Sequence, residues 1–498
     1  MRSLILSKPG LSRFAAVWIA VLSCVSACTE QAAPVRQADP SELQPGGATT
    51  TGLIPFPAFD KPAANLPDNL KADFFAGRAL AEQPWVKAPT ITDARDGLGP
   101  IYNARACLAC HIRGGKGRVP DDNQSPLFNA FVRVSLPTAD QTPDPAIGVI
   151  PEPVYGDQLQ GQSIALLHQL RQATPEEIAA AGDVPPEAYV YLQWTTHTYT
   201  YPDKQQVELR KPTLDIRNLG YGPLHKDTLF SLRNAPSIHG MGLLERIAQS
   251  DIDAFADPDD SNRDGISGRV NMVWDAVSGQ TVPGRFGLKA NRPNMEMVVA
   301  SAFANDVGIS NPLFPRQPCS NAQSRCQSQV NGNNEDGFEL PAHLLALVTG
   351  FSRNLAVPER RNAGSAEVLA GRELFYASGC AACHRPHYKT IDDEHNPHLS
   401  AQDIWPYTDL LLHDMGNELA DNRPDFAASG QEWRTPPLWG VGLLPQINGS
   451  NNLLHDGRAR SVEEAILWHG GEAARTRQAF VELNKEQRTA LVRFVESL

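Results

Sequence analysis

The chain has 498 residues, of which 41% are hydrophobic and 20% are charged, a composition typical of a soluble globular protein. A chain of this length is expected to hold about two to three domains. The formal net charge is −12 and no basic run exceeds a couple of residues, which argues against nucleic acid as a partner.

The N-terminus has the pattern of a targeting segment. Three basic residues precede an apolar run over residues 14–25, which is too short for a committed membrane span. The run ends in Val25-Ser26-Ala27-Cys28, which resembles a bacterial lipobox, so we expect Cys28 to carry lipid after residues 1–28 act as a lipoprotein signal peptide. A plain signal peptide cut nearby is the alternative. Either reading exports the protein, and the lipobox places it on the periplasmic side of the bacterial cell envelope, touching the membrane through this anchor.

Residues 29–66 are rich in Pro, Ala, Gly and Gln and lack periodicity, which predicts a flexible tether. Helical periodicity begins after Asp68, because Leu70, Phe74, Gly77 and Ala81 fall on one helical face. This predicted helix leads towards the first of two short cysteine motifs.

The two motifs have the form Cys-x-x-Cys-His, which covalent c-type haem attachment requires. They consist of Cys107, Cys110 and His111, and of Cys380, Cys383 and His384. In such motifs the thiols bind the porphyrin vinyl groups and the histidine ligates the iron. The sequence therefore predicts two covalently bound c-type haems, with His111 and His384 as proximal ligands.

Residues 112 to about 230 have the pattern of loops and short strands, of which 128–136 and 189–194 are the clearest. We predict a mainly α fold with two cytochrome c-like haem modules, the first carrying a large loop-rich insertion that contains short β-strands. The predicted boundaries are 67–350 for the first haem module with its insertion and 360–498 for a C-terminal cytochrome c-like domain.

An internal similarity supports two related modules. Arg233-Asn234-Ala235-Pro236, followed by Gly240, resembles Arg434-Thr435-Pro436-Pro437, followed by Gly440. Each copy lies downstream of one haem motif, which indicates a repeat. Coincidental Gly-Leu turns are the alternative.

Two smaller features concern metal and redox chemistry. Asp260, Asn262 and Asp264, followed by glycine, match the start of a calcium loop, although the twelfth position lacks the usual glutamate. A plain Asp-rich turn is the alternative.

Cys319 and Cys326 bracket a polar segment, which in an oxidising compartment predicts a local disulfide; a redox-active pair is the alternative.

The second module offers two candidates for the distal haem ligand. Val368 to Phe375 form an amphipathic pattern before Cys380, and residues 485–498 form another that closes the chain. Ser461 to Glu464 form a capping box at the start of a helix that carries His469 on its apolar face. We favour His469 as distal ligand, with Met415 as the alternative and a buried structural histidine as the third reading.

The first module has no comparable signal for a distal ligand. The available side chains are His168, His197, His225, His239 and Met241. His239 lies in the repeated segment, but a structural role for each of these residues, or an empty distal position, fits the sequence as well.

The chain resembles the bacterial di-haem oxidoreductase family, whose members are described as peroxidases and were formerly called predicted thiol oxidoreductases. The segments that carry the resemblance, over about residue 70 to the end, are 103–111, 264–269, Gly284-Arg285-Phe286-Gly287, 406–416, 432–437 and 454–460. More distantly, the last 70 residues are similar to the C-terminal half of di-haem cytochrome c peroxidases. There His469 falls at a ligand position that the peroxidases fill with methionine, which implies a lower potential for this haem.

The function expected from these features is that of an exported c-type di-haem oxidoreductase. It would reduce hydrogen peroxide at the first haem, with electrons relayed by the second from a redox protein or a small electron donor. The alternative is an electron-transfer di-haem cytochrome that serves an envelope redox or metal-uptake partner without a substrate of its own. Thiol–disulfide exchange through Cys319 and Cys326 is a third reading.

Overall fold

The computed structural model describes residues 38–53, 59–88, 91, 95–138, 141–164, 184–329 and 331–498. Residues 36–498 belong to one compact unit. Cys28 and the predicted signal peptide lie outside the described residues, as does His168. Among the described residues, no helix combines the length and the apolar character needed to cross a membrane.

Each cysteine motif lies next to a longer helix. The α-helices are α1 (Asp68–Glu82), α2 (Cys107–Cys110), α3 (Met241–Glu245), α4 (Gln249–Asp253), α5 (Met295–Ala302), α6 (Ser324–Gln327), α7 (Ala342–Arg353), α8 (Ala366–Ala377), α9 (Leu444–Asn448), α10 (Val462–Trp468), α11 (Ala474–Glu482) and α12 (Lys485–Ser497). Single turns of 3₁₀-helix include Pro40–Leu43, Gly47–Thr49, Ile112–Gly114, Cys380–Ala382, Pro397–Leu399, Val441–Leu443 and Gly471–Ala473, and Phe303–Val307 is a π-helical turn.

Strands form several small antiparallel sheets. They are β1 (Ile101–Tyr102), β2 (Ala130–Ser135), β3 (Gln158–Leu159), β4 (Gln162–Ser163), β5 (Tyr189–Thr200), β6 (Gln206–Arg217), β7 (Leu229–Asn234), β8 (Met272–Asp275), β9 (Gln280–Pro283), β10 (Tyr388–Lys389), β11 (Asp403–Ile404), β12 (Leu412–Asp414) and β13 (Glu432–Arg434). The sheet orders are β3-β2-β7, β1-β4, β5-β6, β8-β9, β10-β11 and β12-β13.

The predicted mainly α fold is wrong. The structure is 30% helical and 19% strand, and its strands form many small sheets, so helices do not dominate it as they would a mainly α, cytochrome-like fold. The largest difference is the hairpin of β5 and β6, two twelve-residue strands paired from Tyr189↔Arg217 to Thr200↔Gln206. The sequence pattern predicts only the first half of β5. The second half and β6 are rich in exposed polar residues, so they lack the alternation of apolar and polar residues that marks a half-buried strand.

Part of the segment predicted as a tether belongs to the folded body. Glu42 is fully buried and forms ion pairs with Arg360 and Arg372 as well as a hydrogen bond from the Tyr407 hydroxyl. Phe59 and Leu66 are buried among apolar side chains. Composition alone concealed this, because a single buried acidic residue among Pro and Gly leaves no periodic pattern.

Two pairs of helices cross in the same way. Helix α1 packs on α7, and α8, which leads into the second haem motif, packs on α12. Phe74 and Phe351 meet at the first crossing with ring centroids 5.2 Å apart and an interplanar angle of 54°, and Phe375 and Phe494 meet at the second at 5.2 Å and 55°. The core therefore has two helical centres, each beside one motif.

Glycine permits both crossings. A Cβ on Gly77 would overlap the carbonyl of Leu347, and a Cβ on Gly371 would overlap the carbonyl of Ala490. We expect Gly371→Ala to force α8 away from α12 and to lower the free energy of unfolding by about 1–3 kcal/mol, since overpacking strains both helices. Denaturant unfolding of the haem-loaded protein measures this.

Gly350→Ala is the matched control for that experiment. Gly350 also lies in a crossing helix, but a Cβ there meets nothing within 4 Å. Alanine should therefore stabilise α7 by about 0.5–1 kcal/mol, because it restricts the unfolded backbone without a clash. A Gly371→Ala protein as stable as the wild type would contradict the close packing.

The repeated sequence segment has the same structure in both copies. Gly240 and Gly440 adopt left-handed φ values of 69° and 74°, and each begins a short helical turn. Two residues later, Gly242 and Gly442 pack on the backbones of Arg353 and Glu496, at the C-terminal ends of α7 and α12. Each copy thus fixes the far end of one helix crossing.

Candidate functional site

The first motif forms the short helix α2, and His111 follows it directly. The backbone N–H of His111 donates to the Cys107 carbonyl at 2.9 Å, and its Nδ1 lies 2.6 Å from the carbonyl oxygen of Pro236. A carbonyl only accepts hydrogen bonds, so Nδ1 carries the proton and Nε2 keeps its lone pair. Burial lowers the pKa of His111 and keeps the ring neutral. This is the state in which histidine ligates a metal.

The second motif is placed by the end of α8. Gly379, with φ of 87°, closes the helix, and Cys380–Ala382 forms one 3₁₀ turn. His384 then points Nδ1 at the carbonyl oxygen of Tyr407, 3.0 Å away, and burial lowers its pKa to about 4. His384 is therefore neutral with Nε2 unprotonated, as His111 is.

A third histidine has the same arrangement. Ser461 caps α10, accepting a hydrogen bond from the backbone N–H of Glu464 at 3.1 Å, and His469 directly follows the helix. The Nδ1 of His469 donates to the Ala465 carbonyl at 2.7 Å, and burial lowers its pKa. His469 also lies close enough to His384 to depress the pKa of that residue further.

The motif cysteines are free thiols, and burial disfavours the thiolate form of three of them. Cys107, Cys110, Cys380 and Cys383 are not joined in disulfides. Burial raises the pKa of Cys107, Cys110 and Cys380 to about 12. Protonated thiols are poor nucleophiles and poor metal ligands, because both roles need the thiolate.

A large cavity contains the second motif. The empty space there is about 1820 Å³ when the adjoining open solvent is counted, and Cys380, Cys383, His384, His469 and Met415 all line it. Its other walls are mostly apolar and come from residues such as Leu444, Val462, Ile466, Leu491 and Val495. Two thiols, two free imidazole nitrogens and apolar walls fit a haem attached at Cys380 and Cys383.

The same cavity extends towards the first motif. Pro236, which anchors His111, lies on its wall, as do His239, Met241 and Lys116. Lys116 is a residue that the sequence did not single out. Its Nζ donates to the Leu454 carbonyl at 3.0 Å, and burial lowers its pKa to about 8.

The candidate distal ligands of the first haem are scattered. His197 and His225 are exposed, and His197 makes an edge contact with Trp468. His239 is 2% exposed, and its Nε2 donates to the Trp439 carbonyl at 3.0 Å. Its Nδ1 is buried without a hydrogen-bond partner among the described residues. Of these candidates, His239 and Met241 line the cavity.

A buried ion triad beside Cys383 was also missed by the sequence. The Nδ1 of His413 lies 2.6 Å from Glu472 Oε2, its Nε2 lies 2.8 Å from Asp409 Oδ2, and its Nδ1 lies 3.8 Å from Cys383 Sγ. Burial alone would lower the pKa of His413, but the hydrogen bonds to Asp409 and Glu472 raise it well above its usual value.

Cys383, Asp409 and His413 bring their ligand atoms within 4.8 Å of one another, as in a metal site. Both ring nitrogens of His413 donate to carboxylates, however, so neither has a lone pair for a metal. Asp409 and His413 lie in the segment 406–416 that carries the family resemblance, but nothing in the sequence assigned a role to either residue. Glu472 is 59 residues away from His413, and no spacing rule connects them.

The predicted calcium segment is an exposed turn. Asp260, Asn262 and Asp264 each accept a hydrogen bond from a backbone N–H of the same turn. Within the described residues, no three Asp, Glu, His or Cys ligand atoms cluster there. The calcium assignment stays a prediction.

Cys319 and Cys326 form a disulfide, with their Cα atoms 5.7 Å apart. Cys326 is buried in α6, and the bridge closes a loop next to the hydrophobic core. The pair has the environment of a structural cross-link.

One comparison with known proteins identifies a family, and its description fits a site with two haem motifs. The family model described as "Di-haem oxidoreductase, putative peroxidase" matches residues 42–498. Searches of curated proteins and of solved structures each returned no match. Since the match spans both haem motifs, the histidines that follow them and nearly all of the folded chain, the protein belongs to the di-haem oxidoreductase family.

Proposed function

We propose that the protein reduces hydrogen peroxide at the site of His111 and that the site of His384 and His469 relays the electrons. The observation that carries this proposal is the difference between the two sites. His384 and His469 line one cavity, His469 lies close enough to lower the pKa of His384, and each has an unprotonated Nε2. Besides burial, the groups that act on the pKa of His111 among the residues that the structure describes are the Pro236 carbonyl and Lys116, and no second histidine is one of them.

The two sites then have different roles. A haem iron with an open axial position can bind peroxide, whereas one with two strong axial ligands passes electrons. His111 would hold the first haem from one side through Nε2, oriented by Pro236. His384 and His469 would both ligate the second haem through Nε2, with Met415 as the alternative to His469. Reduction of peroxide to water consumes two electrons and two protons, and the electrons come from a redox protein or a small electron donor.

We further propose that the protein works in the bacterial cell envelope, on the periplasmic side, anchored by lipid on Cys28. Covalent c-type attachment is made outside the cytoplasm, and the disulfide between Cys319 and Cys326 suits an oxidising compartment. The apolar run before Cys28 supports export.

A second function has one specific observation in its favour. The buried Nδ1 of His239 has no partner among the described residues and lies in the cavity wall, three residues beyond Pro236. If His239 turned to ligate the first iron, both haems would be six-coordinate. The protein would then be an electron-transfer cytochrome serving an envelope redox or metal-uptake partner.

Electron paramagnetic resonance of the oxidised and half-reduced protein separates the two functions, because it reports the ligands of both irons. The peroxidase proposal expects one low-spin haem and one haem that is high-spin in at least one redox state. Two low-spin haems in every redox state would contradict it and favour electron transfer alone.

A further inference from the structure

The ion triad of Asp409, His413 and Glu472 has a fixed protonation pattern. A carboxylate accepts hydrogen bonds and His413 contacts one through each ring nitrogen, so both nitrogens must donate and the ring is an imidazolium. The side chains of His413, Asp409 and Glu472 are 3%, 1% and 8% exposed. The triad therefore buries one positive and two negative charges, with a net negative charge.

Neighbouring donors hold the second carboxylate in place. Glu472 Oε1 accepts hydrogen bonds from the Ser267 hydroxyl at 2.9 Å and the Asp414 backbone N–H at 3.0 Å. Its Oε2 accepts from the Ser267 backbone N–H at 3.0 Å as well as from His413. These bonds keep Glu472 ionised, and although burial would raise its pKa, the bonds to His413, Asp414 and Ser267 lower it.

Gly268 allows the backbone to pass close to the His413 ring. A Cβ there would lie 2.6 Å from Cε1 of His413, which real Cβ contacts do not allow. Ser267 and Gly268 thus close over the triad from the first half of the chain, while Asp409, His413 and Glu472 belong to the second.

The triad lies beside the second haem site. His413 Nδ1 is 3.8 Å from the sulfur of Cys383, and both His413 and Glu472 line the cavity that contains His384 and His469. Asp409 also acts electrostatically on Arg434, whose side-chain N–H groups donate to the carbonyls of Gly287 and Thr435.

We propose that Asp409 and His413 position the Glu472 carboxylate so that its negative charge lowers the reduction potential of the second haem. A nearby negative charge stabilises the ferric form over the ferrous form, because ferric haem is the more positive of the two. The inference rests on the proposed function in one respect, namely that a haem is attached at Cys383. The new element is that residues which do not ligate iron lower the potential of the second haem and so make it a stronger reductant.

The test is a spectroelectrochemical titration of the di-haem protein and of its Glu472→Gln variant. The low-spin absorbance identifies the second haem. We expect its reduced-to-oxidised ratio at a fixed applied potential to rise about tenfold or more in Glu472→Gln, which is 59 mV for a one-electron couple. Glu472→Asp, which keeps the charge, should restore a potential close to that of the wild type.

Glu245→Gln is the matched control. Glu245 is also buried and ion-paired, with Arg353 at 2.7 Å, and accepts a backbone N–H bond from Met295, but it does not line the cavity. Its loss should leave the second haem's potential unchanged. If Glu472→Gln fails to fold, Ser267→Lys brings a cation against Glu472 from a half-buried turn and should shift the potential in the same direction.

The outcomes separate this inference from the proposed function. A haem count that finds none attached at Cys380 and Cys383 would overturn both. Two attached haems with an unshifted potential in Glu472→Gln, or in Ser267→Lys where the first variant does not fold, would overturn the role of the triad alone. An equal shift in Glu472→Gln and Glu472→Asp would show that geometry rather than charge is responsible, and would also overturn it.

Discussion

Replacing His469 with alanine should leave both haems attached and convert the second from low-spin to high-spin. The change should be complete, because His469 is the histidine whose free Nε2 faces the cavity together with His384. The covalent links at Cys380 and Cys383 do not depend on this ligand, so haem content should stay at two per chain. Optical spectroscopy and electron paramagnetic resonance measure the conversion, and added imidazole should reverse it.

His455→Gln is the control for the loss of a buried histidine. His455 lines the same cavity, but its ring stacks on Trp433 with centroids 3.7 Å apart. Its replacement should preserve the low-spin spectrum of the second haem. If His469→Ala also remained low-spin, Met415 would be the ligand, and the assignment of His469 would be wrong.

Replacing Asp425 with asparagine should be among the most destabilising single changes in the chain. Asp425 is buried and lies 2.8 Å from Arg233 Nη1 and 3.4 Å from Arg423 Nη1. Asparagine would leave two buried guanidinium groups without a counter-charge, which costs about 3–5 kcal/mol. Arg233 begins the segment that ends at Pro236, so losing its ion pair should also disturb the Pro236 carbonyl that binds His111 Nδ1. Thermal and denaturant unfolding of the haem-loaded protein measure the change in the free energy of unfolding.

The pH dependence of the same variant has a definite sign. Burial would raise the pKa of Asp425, but Arg233 and Arg423, with Arg133 and Arg292, lower it far below its usual value. A carboxyl with a depressed folded-state pKa stabilises the protein above its unfolded pKa of about 3.9, and this stability is lost as pH falls through the folded pKa. The stability difference between wild type and Asp425→Asn should therefore be constant near neutral pH and shrink below about pH 4.

An exposed carboxylate is the control for this pair of measurements. Asp68 is 95% exposed and pairs with Lys71 at the surface, so Asp68→Asn should not change the unfolding midpoint measurably. An equal effect of Asp425→Asn and Asp68→Asn would contradict the buried ion network.

The sequence predicted those elements whose signals are local. Helix α12 was expected over 485–498 and is observed over Lys485–Ser497, because its apolar residues recur with helical spacing and Asn484 caps it. The predicted helix after Asp68 is α1. Of the predicted capping box, the Ser461 side chain caps the helix, but the Glu464 carboxylate accepts from the backbone N–H of Arg460 instead of Ser461. The repeated segment was visible because Gly240 and Gly440 are both required to take a left-handed conformation.

What the sequence could not predict depends on contacts between distant residues. The hairpin of β5 and β6 has mostly half-exposed faces, so its strands lack the alternation that marks a half-buried sheet, and the fold was expected to be mainly α. Glu42 pairs with Arg372, 330 residues away, and Glu472 pairs with His413, 59 residues away. Such pairs are set by the folded chain and leave no trace in spacing.

The two haem sites are alike in how they are built and differ in what faces them. Each has a crossed helix pair, a glycine turn and a histidine whose Nδ1 is held by a backbone carbonyl. The second site adds His469, directly after α10, and the triad of Asp409, His413 and Glu472. At the first site, the Lys116 cation lies close enough to His111 to lower its pKa beyond the effect of burial. This asymmetry is the physical basis for assigning electron relay to one site and peroxide to the other.

Rapid mixing of the half-reduced protein with hydrogen peroxide tests this assignment most directly. We expect a fast change in haem absorbance in the wild type. This change should be lost when Cys107 and Cys110 are replaced by serine while the second haem stays attached and low-spin. An absence of reaction in both the half-reduced and the fully reduced protein, or a reaction that persists without the first haem, would contradict the account.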